Sequence, residues 1–220
     1  EKETAEEVTE YRKEELVKQE EPQEEQEQEE IPIDFTGLQE VNPDIYAWIE
    51  VPGTNIKEPV LQSPTDDTYY LNHLYDKSES PYGAVFTERL NKKTFEDFNT
   101  VVYGHNTKTV TAFHDLHQFS EEEFFKAHDE VVIYTEKSKK VYRIFAAVEY
   151  DNRHILYHYN NEIPAERGEF LQSLKESRSM KNQFREEIKV DESSHIITLS
   201  TCIKGKPDKR WIVEAVEIDE

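Results

Sequence analysis

The hydrophobic and polar positions divide the chain into a polar leader and a domain that is rich in short apolar runs. Apolar residues are few in residues 1–30, which are mostly Glu and Gln, and the composition changes at Ile31. From there, short apolar runs recur between turn-forming residues such as those at 52–55. Short apolar runs bounded by turn signals are typical of β-strands. The pattern therefore predicts a domain of many short strands, and they lie at residues 56–61, 83–86, 100–103, 131–135, 141–148, 195–200 and 211–218.

Helical segments are predicted between these strands. Asn42 stands in a capping position ahead of an apolar segment that ends at Ile49, which predicts a short helix there. Ser120 is followed by Glu123 at capping-box spacing and predicts a second helix start. Further helical segments are predicted at residues 65–71, 112–119 and 165–176. Strands with helices inserted between them predict a mainly β fold, a closed or nearly closed β-barrel with peripheral helices.

Charge separates the same two parts of the chain. The 220 residues include 48 Asp and Glu against 26 Lys and Arg, a net charge of −22. Residues 1–30 hold 14 acidic and 4 basic residues, and residues 31–220 hold 34 and 22. We therefore predict that residues 1–33 form an acidic stalk or linker, disordered or partly helical, ahead of a folded domain at residues 34–220. A binding role for the acidic run is the alternative.

Composition also excludes several classes of function. The acidic excess argues against a nucleic-acid-binding surface, which needs Lys and Arg opposite the phosphates. The single cysteine excludes an internal disulfide and any multi-cysteine zinc or iron–sulfur site. No apolar run approaches the roughly 20 residues that cross a bilayer. Because the sequence begins at Glu1 and not at Met, we expect that the natural N-terminus, with a signal peptide or a membrane anchor, has been removed.

The single cysteine, Cys202, ends an apolar segment at a position where a buried strand is expected to meet a loop. A free core cysteine is one interpretation, because buried thiols are common. The polar neighbours Ser200, Thr201 and Lys204 favour the other interpretation, which is a nucleophile near the surface.

Two further residues stand at the ends of predicted strands. His105 follows Gly104, which allows the backbone to turn sharply. Arg210 opens the last strand, and a hairpin with a seven-residue loop would place it beside Cys202. A thiolate attacks carbonyls, an imidazole moves protons and a guanidinium stabilises an oxyanion, so these three residues together suit acyl transfer.

No metal site and no cofactor are predicted. His114 and His117 stand three positions apart on a predicted helix, but the sequence places no third ligand beside them. The remaining histidines show no pattern that indicates a ligand set.

Several short motifs contain or follow the three candidate residues. They are Tyr-Gly-His-Asn at 103–106, Phe-His-Asp-Leu at 113–116, Thr-Leu-Ser-Thr-Cys at 198–202, and then Arg210. Together they resemble the sortases, the cysteine transpeptidases of Gram-positive cell surfaces. Segments that resemble class B sortases in particular lie at residues 42–44, 48–55, 69–73, 113–125 and, as a helical insertion, 165–177. The resemblance covers residues 38–218 and leaves out the acidic leader.

The resemblance implies a fold, a reaction and a set of residues. The implied fold is a closed eight-stranded sortase β-barrel, and the implied reaction cleaves the C-terminal sorting signal of surface proteins between Thr and Gly or Asn. Cys202 would hold the acyl group as a thioester. His105 would protonate the leaving amine and activate the incoming one, and Arg210 would bind the oxyanion and the substrate backbone. The implied substrate-binding residues are Leu71, Asn106, Ser200 and Thr201.

The resemblance also implies partners and a location. The partners are a sorting-signal peptide and an amine nucleophile from a peptidoglycan precursor or a pilin subunit. The location is the extracellular face of the cell membrane, with N-terminal anchoring. The sequence departs from the family at Ile203, where many class B sortases have Thr or Glu, and in the short basic loop that follows.

Two other functions stay open on the sequence. A cysteine peptidase or cell-wall hydrolase would share Cys202 and His105 and would end in hydrolysis without transfer. Arg210 and the layout of the last two strands favour the sortase, because such hydrolases usually place the cysteine at a helix start. A non-catalytic surface adhesin is the other alternative, and it predicts that Cys202 is buried and inert.

Overall fold

Eight β-strands close into a barrel in the computed structural model, which describes residues 31–107 and 113–218. The described residues form nine strands, of which all but β7 belong to the closed barrel: β1 (Ile45–Glu50), β2 (Lys57–Leu61), β3 (Val85–Thr87), β4 (Asn99–Tyr103), β5 (Glu130–Tyr134), β6 (Lys139–Asp151), β7 (Gln183–Phe184), β8 (Ile196–Ile203) and β9 (Lys206–Glu217). Their order is β5-β1-β2-β3-β4-β8-β9-β6, β6 also pairs with β5, and β7 adds to β6. The pairs β2–β3 and β4–β8 are parallel. The prediction of a closed, mainly β barrel with peripheral helices is confirmed.

Helices surround this barrel. The α-helices of the described ranges are α1 (Phe35–Val41), α2 (Glu122–Ala127), α3 (Ile155–His158) and α4 (Pro164–Glu176), and the 3₁₀ helices are Tyr69–Leu71 and Phe113–Ser120. Pro164 opens α4, where a missing N–H costs nothing because the first turn has no helical acceptor for it. The hairpin predicted around residues 131–148 and the helix predicted at 165–176 are confirmed as β5–β6 and α4.

Apolar side chains form one core inside the barrel and a second core under α4. Strand β9 contributes to both, because alternate side chains of a strand point to opposite faces. Trp211 and Val213 join the larger cluster, whereas Ile212 joins the cluster that contains Phe170 and Leu174 of α4. The strands that carry the candidate site are therefore packed on both faces.

The helix predicted at residues 42–49 is wrong, since this segment forms strand β1. Every second residue of β1 is buried, and the strand pairs with β2 on one side and β5 on the other. A six-residue segment gains more from two ladders than from an isolated helical turn, which is costly to nucleate. Asn42 caps no following helix, and its amide donates instead to the Tyr70 hydroxyl and the Tyr75 carbonyl.

The cap predicted at Ser120 is also wrong. Ser120 is the last residue of the preceding 3₁₀ helix, and its hydroxyl donates to the Glu121 carboxylate. An N-cap residue needs an extended backbone, and Glu121 takes that conformation ahead of α2. The helical segment predicted at 112–119 corresponds to Phe113–Ser120, with residue 112 outside the described residues.

Candidate active site

Strand β8 brings the cysteine from the core to the surface. Its residues are buried as far as Thr201, and the thiol-bearing Cys202 is exposed. Cys202 pairs directly with Arg210 across the β8–β9 ladder, so the predicted neighbourhood of these two residues is confirmed. The predicted seven-residue loop is wrong, because β8 and β9 continue until only Lys204 and Gly205 connect them. Gly205 has φ +79°, a left-handed conformation that suits glycine at such a tight turn.

Strand β4 brings His105 to the same end of the barrel. Tyr103 pairs with Ser200 of β8 in parallel, and the Gly104 N–H donates to the Ser200 carbonyl at 3.1 Å. A Cβ on Gly104 would lie 2.6 Å from the Phe113 ring, so this position accepts no side chain without a shift of its neighbours. The backbone turns here and presents His105 beyond the end of the strand.

A backbone carbonyl orients the His105 ring. His105 Nε2 lies 2.7 Å from the Leu71 carbonyl oxygen. Because a carbonyl only accepts, Nε2 must carry a hydrogen, and Nδ1 is then the nitrogen that gains or loses a proton. Gly83 has φ +58° and lies against the His105 ring, because a Cβ at residue 83 would lie 2.9 Å from His105 Cδ2. The glycine therefore lets the backbone at residue 83 approach His105 closely.

One cleft collects most of the predicted site residues. Its lining includes Leu71, His105, Ser200, Thr201, Cys202 and Arg210. Among the described residues, this lining does not include Asn106. A thiol, an imidazole and a guanidinium, which have complementary chemistry, thus line the same cleft.

Local carbonyls hold the Arg210 guanidinium at the rim of the cleft. Its Nη1 donates to the Pro207 carbonyl at 3.1 Å and to the Lys209 carbonyl at 2.8 Å. A guanidinium has three further N–H donors on Nε and Nη2. Arg210 is therefore fixed through one nitrogen and retains donors for an oxygen of a bound molecule.

The cleft lining also contains a pair of titratable residues that the sequence did not indicate. His154 Nε2 lies 2.6 Å from Glu88 Oε2, and both residues line the cleft. The Tyr157 N–H donates to His154 Nδ1, so the hydrogen of a neutral ring lies on Nε2, toward Glu88. Burial raises the pKa of Glu88, and the neighbouring His154 opposes this shift. The two residues are far apart in the sequence, and no local motif marks either of them.

A second polar cluster lies behind the cysteine. Asn106 Nδ2 donates to the Cys202 carbonyl at 2.9 Å, and His117 Nε2 lies 3.1 Å from the same oxygen. His114 Nδ1 lies 2.6 Å from Asn106 Oδ1. His117 also stacks on Trp211, whose indole N–H donates to the Leu116 carbonyl at 2.8 Å. The 3₁₀ helix Phe113–Ser120 is thereby tied to the strand ends that carry the candidate site.

The closed barrel, with an exposed thiol at the end of one strand and an arginine paired to it, defines a cysteine enzyme built on a β-barrel. A family model for the sortase domain matches residues 49–218. Sortase B of Listeria monocytogenes is 31% identical over 175 residues, which is 79% of this chain and 68% of the relative.

Solved structures agree with this match. The structure of Clostridium perfringens sortase B is 31% identical, has a TM-score of 0.73, and is matched over 84% of this chain and 99% of that chain. A Staphylococcus aureus sortase B–substrate complex is 27% identical, has a TM-score of 0.72, and is matched over 84% of each chain. The chain belongs to the sortase family and is most similar to class B sortases, which are cysteine transpeptidases.

Sortases act at the surface of Gram-positive cells. Within residues 31–107 and 113–218, every helix is too short or too polar to span a bilayer.

Proposed function

We propose that this sortase cleaves the C-terminal sorting signal of surface proteins, between Thr and Gly or Asn, and transfers the new carboxyl terminus to an amine. The observation that supports this most is the convergence of Cys202, His105 and Arg210 on one cleft. The exposure of Cys202 fits a nucleophile and disagrees with the inert core cysteine of the adhesin alternative.

In the first half of this reaction, Cys202 reacts as the thiolate while His105 holds the proton on Nδ1, and the thiolate sulfur attacks the carbonyl carbon of the threonine. Negative charge then develops on the carbonyl oxygen, and donors of Arg210 stabilise it. His105 gives a proton from Nδ1 to the leaving nitrogen, the C–N bond breaks, and a thioester remains on Cys202.

The second half reverses these roles. An incoming amine attacks the thioester carbon, His105 Nδ1 takes its proton, and the C–S bond breaks to release Cys202. The anchoring of Nε2 on the Leu71 carbonyl supports this role, because it keeps the ring orientation constant while Nδ1 gains and loses a proton.

The peptide is proposed to bind along the cleft, in contact with Leu71, Ser200 and Thr201. A solved structure of the S. aureus relative is a substrate complex, which supports the binding of a substrate by this fold. The amine is proposed to come from a peptidoglycan precursor or a pilin subunit. Residues 34–220 would form the catalytic domain, and residues 1–33, of which 1–30 lie outside the described residues, an acidic stalk or linker.

A peptide assay tests the proposal. The full chain is incubated with a fluorogenic library of sorting-signal peptides, with and without triglycine, beside Cys202→Ala. We expect cleavage together with amine-dependent ligation, and neither in the variant. Cleavage that triglycine leaves unchanged and unligated would indicate a hydrolase, and absence of thiol-dependent turnover on every peptide would refute the proposal.

A further inference from the structure

The β4–β8 ladder ends beside the nucleophile. In this parallel pair the Ser200 carbonyl accepts from the Gly104 N–H. Because strand backbones repeat every two residues, the next β8 carbonyl directed to the β4 side is that of Cys202. Strand β4 has already ended at Tyr103, and the register of β8 against β9 shifts between Cys202 and Ile203. The carbonyl of the nucleophile therefore lies where the regular ladder stops.

The side chain of Asn106 supplies the donor that the ladder lacks there. Asn106 Nδ2 lies 2.9 Å from the Cys202 carbonyl oxygen, although the two residues are 96 positions apart. A carbonyl oxygen only accepts, so the amide nitrogen must face it and Oδ1 must face away. This orientation places Oδ1 next to His114 Nδ1, which must then donate to it at 2.6 Å.

His117 completes the cluster from the other side of the amide. Its Nε2 lies 3.0 Å from Asn106 Nδ2 and 3.1 Å from the Cys202 oxygen. Burial lowers the pKa of His117, the hydrogen bond to the Cys202 carbonyl opposes this, and the electrostatic interactions with His114 and Lys181 lower it further. In the neutral ring, Nε2 accepts from Asn106 or donates to Cys202, and both arrangements hold the same carbonyl.

We propose that Asn106, held between His114 and His117, is a positioning residue that fixes the Cys202 carbonyl and with it the direction of the thiol. The inference rests on the proposed function, because it assumes that Cys202 is the nucleophile. Asn106 binds the Cys202 carbonyl and, among the described residues, is not one that lines the cleft, whereas His105 and Arg210 line it. Its removal should therefore slow the chemical steps and leave peptide binding intact, unlike the substrate-binding role implied by the family resemblance.

Steady-state kinetics separate these two roles. We compare Asn106→Ala and the isosteric Asn106→Asp, which presents only acceptors to the carbonyl, on a sorting-signal peptide with triglycine. A misplaced nucleophile predicts a kcat lower by roughly 10- to 100-fold and a KM within about twofold of the original. The matched control is Asn160→Ala, because Asn160 is exposed and its side chain accepts from the Glu162 N–H in a local turn. Thermal midpoints confirm that the variants fold.

The role of His114 is tested by a double-mutant cycle. If His114 acts through Asn106, His114→Ala lowers kcat in the original background and has no further effect beside Asn106→Ala. Equal effects in both backgrounds would contradict the proposed link.

A substrate-independent measurement uses the single cysteine. Labelling with 1-¹³C-cysteine gives one carbonyl resonance, that of Cys202. We expect this resonance to move in Asn106→Ala and to stay in place in Asn160→Ala, because only the first change removes a donor from the labelled oxygen. An unmoved resonance, or a raised KM with unchanged kcat, would overturn the inference. If no peptide is turned over by the original protein, the proposed function fails, and the resonance alone decides whether Asn106 holds the carbonyl.

Discussion

Glu214 is a carboxyl group in the interior of the protein, and its replacement by glutamine should change how stability depends on pH. The residue is fully buried on β9, where the Thr198 hydroxyl lies 2.9 Å from Oε2. Among the described residues, Oε1 has no hydrogen-bond partner. Burial raises the pKa of Glu214 from 4.5 to about 8, and the Thr198 hydrogen bond lowers it only in part. The native protein therefore keeps this carboxyl protonated at neutral pH.

The sign and size of the effect follow from proton linkage. The contribution of a raised pKa is fully present below pH 4.5, where both states hold the proton. Between pH 4.5 and about 8 the unfolded chain ionises first, so stability falls as the pH rises. At about 1.4 kcal/mol per pKa unit, the full gap corresponds to a loss of about 5 kcal/mol, most of it within this interval. Glutamine has the same shape and no ionisation, so Glu214→Gln should remove this loss.

Urea unfolding at several pH values between 5 and 8.5, followed by tryptophan fluorescence, measures the difference. We expect Glu214→Gln and the original protein to differ little near pH 5 and the variant to be more stable by about 3–4 kcal/mol near pH 8.5. The control is Glu122→Gln. Glu122 is exposed, and the side-chain hydrogen bond from Lys126 lowers its pKa, so its titration falls below this interval. Parallel curves for Glu214→Gln and the original protein would refute the reasoning.

Three further predictions concern the site and the core. Arg210→Ala should lower kcat by roughly 10²- to 10³-fold, the typical loss on removal of an oxyanion donor; a change confined to KM in the peptide assay would contradict that role. Phe170→Ala should destabilise the protein by roughly 3–5 kcal/mol in urea unfolding, because it empties a buried position under α4; a loss below 1 kcal/mol would contradict the packing described. Gly104→Ala should lower both the thermal midpoint and kcat, since its Cβ would meet the Phe113 ring at 2.6 Å; a variant equal to the original in both measurements would show that the ring moves aside freely.

Local patterns predicted the parts of the site that lie on neighbouring segments. The adjacency of Cys202 and Arg210 followed from two strands joined by a short loop, and it holds although the loop is shorter than predicted. The helix predicted at residues 42–49 failed because the apolar spacing of a six-residue segment fits a strand as well as a helix. Pairing with β2 and β5 decides in favour of the strand, and no local pattern reveals this pairing.

The sequence could not predict contacts between distant segments. Glu88 and His154 lie on separate segments, and neither belongs to a recognisable motif. The bond from Asn106 to the Cys202 carbonyl likewise depends on the β4–β8 pairing. The sequence showed His114 and His117 as a pair, but only the structure shows that Asn106 lies between them.

The parallel pairing of β4 with β8 also has a consequence for how the chain matures. It joins residues 99–103 to residues 196–200, so the segment that ends in Cys202 is positioned only after nearly the whole domain has been made. Pairings between such distant segments form slowly, because a long loop must close, at a cost in chain entropy, before the strand contacts stabilise the fold. The thiol comes beside Arg210 only when β8 and β9 pair, and an incompletely folded chain therefore carries its cysteine without the groups that line the cleft with it.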